Sequence, residues 1–279
     1  MDPRLTPARP DLAAMHLRGR VTASRFVDGK LQQIVRGRIG LRAKPDHDAC
    51  MDSELLFGEG FTVYETSNGW AWGQAAGDGY VGYLRDMALD EGATPPDHRV
   101  VALMTPLLPA PDIRRPYTDM LPLNAKVRVE AREGDFVRIA PDGYLFARHL
   151  APLGEVAADW VAVAERFVGV PYVWGGKTAA GIDCSGLVQT ALEAGGTSAP
   201  RDTDMQEAAL GRLLSLTSLA GEMLRGDLVF WADHVGIMVD PLRLLHASAQ
   251  RMEVGIAPLA DVAARNGGSG RPVRAVKRF

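Results

Sequence analysis

A chain of 279 residues has room for two or three small domains, and an apolar fraction of 47% can build ordinary buried cores. A charged fraction of 23%, a net charge of −3 and the lack of any basic run argue against nucleic acid as a partner. Six scattered histidines with no His/Cys pair at metal-ligand spacing argue against a structural zinc, and no stretch approaches eighteen apolar residues, so no membrane-spanning helix is expected.

The N-terminal stretch MDPRLTPARPDLAAMHLRGR carries prolines and charges where a signal peptide needs an unbroken apolar run. Cys50 and Cys184 could form one disulfide but no framework, and two lone thiols suit a reducing compartment. A soluble, cytoplasmic protein is the expectation.

An internal repeat divides the first half. Residues 54–84 and 119–150 each read as an apolar pair and polar turn, then a short alternating strand (Phe61, Val63; Val127, Val129). Each continues with a turn (Ser67-Asn68-Gly69; Arg132-Glu133-Gly134-Asp135) and a second strand around Trp70 and Trp72 or Phe136 and Ile139. Asp-Gly-Tyr follows at 78–80 and again at 142–144, offset by 64 residues. Short strands with turns at this spacing predict small antiparallel barrels, separated by a linker over 90–96. One larger β domain with a coincidental Asp-Gly-Tyr is the alternative.

After Pro152 the pattern changes. Residues 157–168 place Trp160, Val161, Ala164, Phe167 and Val168 at helical spacing. A Gly-rich loop runs from Val170 to Ile182. A second helix follows Asp183, with Leu187, Val188, Ala191 and Leu192 as its stripe and Gly195-Gly196 as its stop. Beyond Gly226, short apolar strands are expected at Leu228–Trp231, Val235–Val239 and Leu244–Ala247. Helices followed by antiparallel strands make an α+β domain.

Cys184 lies after the glycine-rich loop, in the first turn of that helix, with Asp183 placed to cap it. Orphan amides and the helix dipole there favour a thiolate and can hold a developing oxyanion. A free cysteine is more often a small buried hydrophobe, but this one sits at a loop-to-helix junction outside the stripe. A nucleophilic thiol needs a base. His234 opens one predicted strand and His246 lies in the next. If a short turn around Asp240-Pro241 joins them, a separation of twelve residues puts both rings on one face, opposite or diagonal. Such a pair can act as base and orienter, whereas a lone strand histidine is usually structural.

Pro171-Tyr172-Val173-Trp174-Gly175-Gly176, Asp183-Cys184-Ser185-Gly186-Leu187-Val188, Arg225-Gly226-Asp227-Leu228-Val229-Phe230 and Asp233-His234-Val235-Gly236-Ile237 together resemble the NlpC-type cell-wall cysteine peptidases. The first half resembles the paired bacterial SH3-like barrels that precede this catalytic domain. The combination is similar to the γ-D-glutamyl-L-diamino acid endopeptidases, or dipeptidyl-peptidase VI. The resemblance implies an α+β papain-like domain over 155–279, behind two small all-β SH3-like barrels at 1–92 (with the N-terminal segment) and 97–152. It also implies Cys184 as nucleophile, His234 as base, His246 as third polar residue and Tyr172 in the active site. No metal or organic cofactor is implied.

Pro200-Arg201-Asp202-Thr203-Asp204 resembles the stretch that binds the substrate amino end, with Asp202 and Thr203 facing the ligand; serine is commoner than threonine at the second position. A carboxylate suits a free ammonium, yet Asp202 also fits as the N-cap of a helix around Met205–Leu210. Glu59 and Tyr80 stand where the first barrel of such proteins closes the pocket, and their plainer readings are a turn residue and a core aromatic. The expected substrates are small murein peptides, L-Ala-γ-D-Glu-diamino acid, with no nucleic-acid or membrane partner. Rival expectations are a papain-fold amidase or acyltransferase on other amides or lipids, an exported peptidase acting on intact wall, and a wall-binding protein with a relict domain.

Overall fold

The computed structural model describes residues 1–92, 94–214 and 223–279. Strands dominate, and four α-helices are present among the described residues. The chain divides into two compact units, Met1–Glu155 and Val156–Phe279. Of the stretch expected as a linker, Ala93 lies outside the described residues.

The first unit uses one strand order twice. Lys30–Ile34 pairs with Gly60–Ser67 on one side and Leu89–Asp90 on the other, and Gly60–Ser67 continues through Trp70–Ala75 to Val81–Arg85. In the second sheet His98–Val100 likewise sits between Lys126–Glu133 and Leu150–Pro152, and Lys126–Glu133 continues through Phe136–Ala140 to Tyr144–Phe146. A 3-10 turn precedes each final strand, at Asp86–Ala88 and Ala147–His149. Each long hairpin strand also bulges, between Val63 and Glu65 and between Val129 and Ala131, which bends a short sheet enough to cover its own core. Arg38–Arg42 and Met51–Leu56 extend the first sheet to seven strands.

The two Asp-Gly-Tyr turns differ where equivalence was expected. Tyr80 is buried with Ile34, Phe61 and Leu84, whereas Tyr144 is partly exposed and donates its hydroxyl to Glu133 at 3.1 Å. The local turn repeats, but the packing around it does not. Leu56 and Phe57 join the core of the second sheet with Leu121, Val127 and Ile139.

The second unit carries helices α1 (Trp160–Glu165), α2 (Cys184–Ala194), α3 (Thr203–Ala209) and α4 (Leu259–Gly268). Asp159 caps α1 by accepting the amides of Val161 and Ala162. The helix ends sooner than its apolar spacing predicts: Phe167 bonds back to Ala164 in a tighter turn, and Val168 is exposed before Gly169 turns at φ +85°. Helix α2 packs on the strands His234–Met238 and Arg243–Ser248. They belong to a six-stranded sheet in the order Arg212–Leu213, Ala275–Arg278, Leu228–Trp231, His234–Met238, Arg243–Ser248, Glu253–Pro258. The central three were expected; the flanking strands were not, since their charged ends blur the apolar alternation.

Gly58 marks a close backbone approach inside the first unit. It has φ +79°, and a Cβ there would lie 1.9 Å from the Lys126 carbonyl oxygen, while the Lys126 amide donates to the Phe57 carbonyl at 2.8 Å. Gly58→Ala combines an unfavourable backbone region with a clash against main chain, and should cost about 3 kcal/mol or more. Calorimetry should show the transition of the Met1–Glu155 unit moving down; an unchanged thermogram would refute this packing.

Candidate active site

The site is built from the loop before α2 and the first turn of that helix. Asp183 has extended backbone, and its Oδ1 accepts the Gly186 amide at 2.7 Å, capping α2. Its Oδ2 accepts the Gly175 amide at 2.8 Å. Arg201 then closes a fork on the same carboxylate, at 3.0 Å to Oδ1 and 2.6 Å to Oδ2. The guanidinium also donates to Ser185 Oγ at 2.9 Å and to the Gly176 carbonyl at 3.4 Å. Arg201 is 1% exposed and Asp183 6%, so each charge depends on the other and on these extra hydrogen bonds to offset its lost hydration. The loop can lie this close to the helix because position 186 is glycine: a Cβ there would sit 2.2 Å from the Gly176 carbonyl oxygen.

Cys184 is thereby placed at the start of α2 with its thiol nearly buried. Thr203 Oγ1 lies 3.9 Å from the sulfur, and the Val235 amide donates to it. Burial, and then the Asp183 charge, push the thiol up to about 11, outweighing the pull of the Val235 amide and the Thr203 hydroxyl. The helix start that suggested a ready thiolate therefore holds a protonated thiol.

The histidine pair follows from strand register. Ile237 pairs with Leu245 and Met238 with Leu244, and the Val239 amide donates to the Arg243 carbonyl to close the turn. His246 thus lies across from Gly236 and diagonal to His234, on the face shared with Met238 and Leu244. The His234 Nε2 to His246 Nδ1 distance is 2.8 Å, so one ring donates to the other. Trp231, paired with His234 across a two-residue turn, is buried and tilts against it with centroids 5.5 Å apart. Burial holds both imidazoles neutral, His234 down to about 3 with the help of its His246 neighbour, and His246 down to about 4 with the help of Arg265 and Arg251.

Cys184, His234, His246 and Tyr172 line one cleft of roughly 150 Å³, with Trp174, Asp233, Ser248 and Gln250 among its other walls. Burial above all raises the Tyr172 phenol above its ordinary value, and the nearby Asp183 carboxylate adds to the shift. Thr203 reaches the sulfur from the start of α3. Asp202 occupies the N-cap position of α3, its carbonyl accepting the Gln206 amide at 2.9 Å, but its carboxylate makes no capping bond. Glu59 and Tyr80 belong to the first unit, where the Glu59 carboxylate accepts the Leu56 amide at 2.9 Å and the Tyr80 ring packs in the core. No group of three or more His, Cys, Asp or Glu suited to a metal ion, and no helix long and apolar enough to cross a membrane, occurs among the described residues.

Residues 169–265 match the NlpC/P60 family. The second unit is an NlpC/P60 domain. Residues 41–89 match the bacterial dipeptidyl-peptidase SH3 domain. The chain is 27% identical over 242 residues to a γ-D-glutamyl-L-lysine dipeptidyl-peptidase of Bacillus subtilis, covering 77% of this chain and 78% of that one. A protein of the same name from Bacillus cereus is 28% identical over 51% of this chain and 41% of its own length. Dipeptidyl-peptidase 6 of Lysinibacillus sphaericus is 33% identical over 36% of each chain. In three dimensions the chain is similar to an NlpC/P60 family protein of Bacillus cereus, with a TM-score of 0.76 at 17% identity, over 89% of this chain and 99% of that one; this likeness supports the papain-like fold. By class the chain is a cysteine-peptidase hydrolase.

Sequence reasoning passed over Arg201, although it stands inside the Pro200–Asp204 stretch. Nothing in a sequence distinguishes an arginine that is fully buried from one in solvent. Arg201→Met leaves Asp183 charged and unpaired inside the NlpC/P60 domain, and should cost about 3–5 kcal/mol, read as a lower denaturant midpoint of that unit. A loss below about 1 kcal/mol would mean that the loop does not depend on this pair.

The neutral histidines predict an acid-sensitive domain. Unfolded, each binds a proton near pH 6.5; folded, only near 3 and 4. The contribution is therefore present above about pH 6.5 and is lost as pH falls toward those folded values, by roughly 1.4 kcal/mol per unit for each histidine titrating only in the unfolded chain. Thermal unfolding of wild type and of a His234→Phe/His246→Phe variant between pH 7.5 and 4.5 should show a steeper loss in wild type. Parallel curves would contradict the buried neutral pair.

Proposed function

We propose that the NlpC/P60 domain hydrolyses the bond between γ-D-glutamate and a diamino acid in peptidoglycan-derived peptides with a free N-terminal L-alanine, as murein peptide recycling requires. The observation that carries the reading is the convergence of the Cys184 thiol, the His234–His246 pair at 2.8 Å and Tyr172 on one cleft. The names of the relatives support the bond chosen.

The resting pair is neutral, so the proton moves during attack rather than before it. His234 takes the Cys184 proton as sulfur bonds to the γ-glutamyl carbonyl carbon, and the Cys184 amide receives the developing oxyanion. His246 Nδ1 then accepts from His234 Nε2–H, fixing the tautomer and supporting the imidazolium. His234 returns the proton to the departing amine, leaving a thioester. Water, activated by the same ring, releases the L-Ala-D-Glu dipeptide and regenerates the thiol. The Asp202 carboxylate, half-buried at the start of α3, is assigned to the substrate ammonium, with Thr203 beside it. We also read residues 97–152 as a second SH3-like barrel, because their strand order and 3-10 turn repeat those of the first.

Incubation with L-Ala-γ-D-Glu-diaminopimelate and its N-acetylated form tests the reading. Wild type should release the dipeptide, and Cys184→Ala should keep its fold and lose turnover. Acetylation removes the charge that Asp202 would hold; a charge-assisted hydrogen bond to a half-buried carboxylate is worth about 1.5–3 kcal/mol, or roughly 10- to 100-fold in kcat/KM. Similar rates for both forms would instead favour an endopeptidase acting on capped stems.

A further inference from the structure

The first unit holds a cavity of roughly 280 Å³, larger than the 150 Å³ cleft at Cys184, and no residue lines both. Strand register builds its floor. Pairing of Gly60–Ser67, Trp70–Ala75 and Val81–Arg85 sets Glu65, Trp72 and Tyr83 in one row, and Ser67, Trp70 and Arg85 in the next row of the same face. All but Arg85 line the cavity, joined by Asn68, which sits at φ +51° in the turn between the first two strands. The second sheet repeats the three strands, but its matching rows are Ala131, Arg138 and Tyr144, then Glu133, Phe136 and Phe146. The tyrosine persists and both indoles are gone, so the fold does not require them.

Trp70 and Trp72 are only 7% and 3% exposed, yet neither indole N–H has a hydrogen-bond partner among the described residues. Unlike the Trp231 N–H, neither is sealed inside the core, so each opens at the cavity its ring lines. A donor so placed is satisfied by water or by a ligand. The Tyr83 hydroxyl accepts from Arg9 at 2.9 Å and keeps its own proton to give. The charges of the wall are spent on each other: Arg9 pairs with Glu65 and, at 2.8 Å, with Asp11, and Arg25 adds a second cation to Glu65 at 2.9 Å. The ring faces are taken as well, with the Arg9 guanidinium 4.4 Å from the Trp72 centroid and that of Arg85 5.3 Å from Trp70. A cationic ligand would meet a guanidinium on each indole, and an anionic one finds the lining cation already neutralised.

We propose that this cavity binds a neutral saccharide, with the two indole N–H groups and the Tyr83 hydroxyl donating to sugar oxygens, and Glu65 and Asn68 accepting from its hydroxyls. Vicinal hydroxyls each donate and accept at short spacing, which matches a wall that mixes donors and acceptors over two strand rows. The aromatic edges, positive in the ring quadrupole, favour the same oxygens. Binding here is separate from the chemistry at Cys184 and does not depend on which bond is cleaved there.

The test follows the indole N–H resonances of the ¹⁵N-labelled full chain, five in all, with Trp70 and Trp72 assigned from Trp70→Phe and Trp72→Phe. Glucose, galactose, mannose and N-acetylglucosamine are titrated separately, with tetramethylammonium and acetate as charged controls. At least one sugar should move the Trp70 and Trp72 signals saturably, with a dissociation constant on the order of 1 mM, and leave the other three in place. Asn68→Gly keeps the left-handed turn and should weaken binding about 3- to 10-fold, as should Tyr83→Phe, while peptidase turnover stays unchanged in Asn68→Gly. No sugar-induced shift, an equal shift with either ion, or wild-type affinity in both variants overturns the proposal.

Discussion

The Asp183 carboxylate is the constraint from which the site is assembled. It caps α2, holds the Gly175 amide and meets Arg201 in a two-pronged contact. The glycine loop, the helix start that follows it and the chain before α3 are thereby tied together around Cys184. A buried ion pair of this kind contributes little net stability against an apolar replacement of equal shape. Its effect is positional: breaking it would leave a charge without water, so the loop has one arrangement and few neighbouring ones. The placement of Cys184 inherits that rigidity.

Burial sets the electronic state of the same site. Desolvation lifts the thiol, outweighing the Val235 and Thr203 hydrogen bonds that act in the other direction, and it lowers both imidazoles. The result is a thiol and an imidazole pair that all rest uncharged. The two rings remain coupled, since His246 Nδ1 lies 2.8 Å from His234 Nε2 and one donates to the other. The Asp233–Arg271 pair places fixed charges of both signs on the wall of the same cleft.

The first unit reaches its form differently, through backbone pairing rather than buried charge. Two sheets repeat one order of hairpin, third strand, 3-10 turn and closing strand. Their bulges fall at matching places and let each short sheet curve over its own apolar interior. The copies have diverged where packing differs, as Tyr80 and Tyr144 show.

Much of this was legible in the residues alone. Period-two alternation in Phe61–Val63 and Val127–Val129, the repeated Asp-Gly-Tyr turn, the Asp183 cap and the stripe of α2 are local signals, set by side-chain direction and turn chemistry. The His234–His246 spacing was equally readable, because a short turn between paired strands fixes which residues share a face. Tertiary structure decided the rest. Whether Arg201 lies in solvent or at the centre of the site, whether Cys184 rests as thiol or thiolate, and whether the Asp202 carboxylate caps its helix all depend on which distant groups exclude water from it. Desolvation and buried pairing act through space between segments far apart in the chain, and a sequence carries no record of them until it folds.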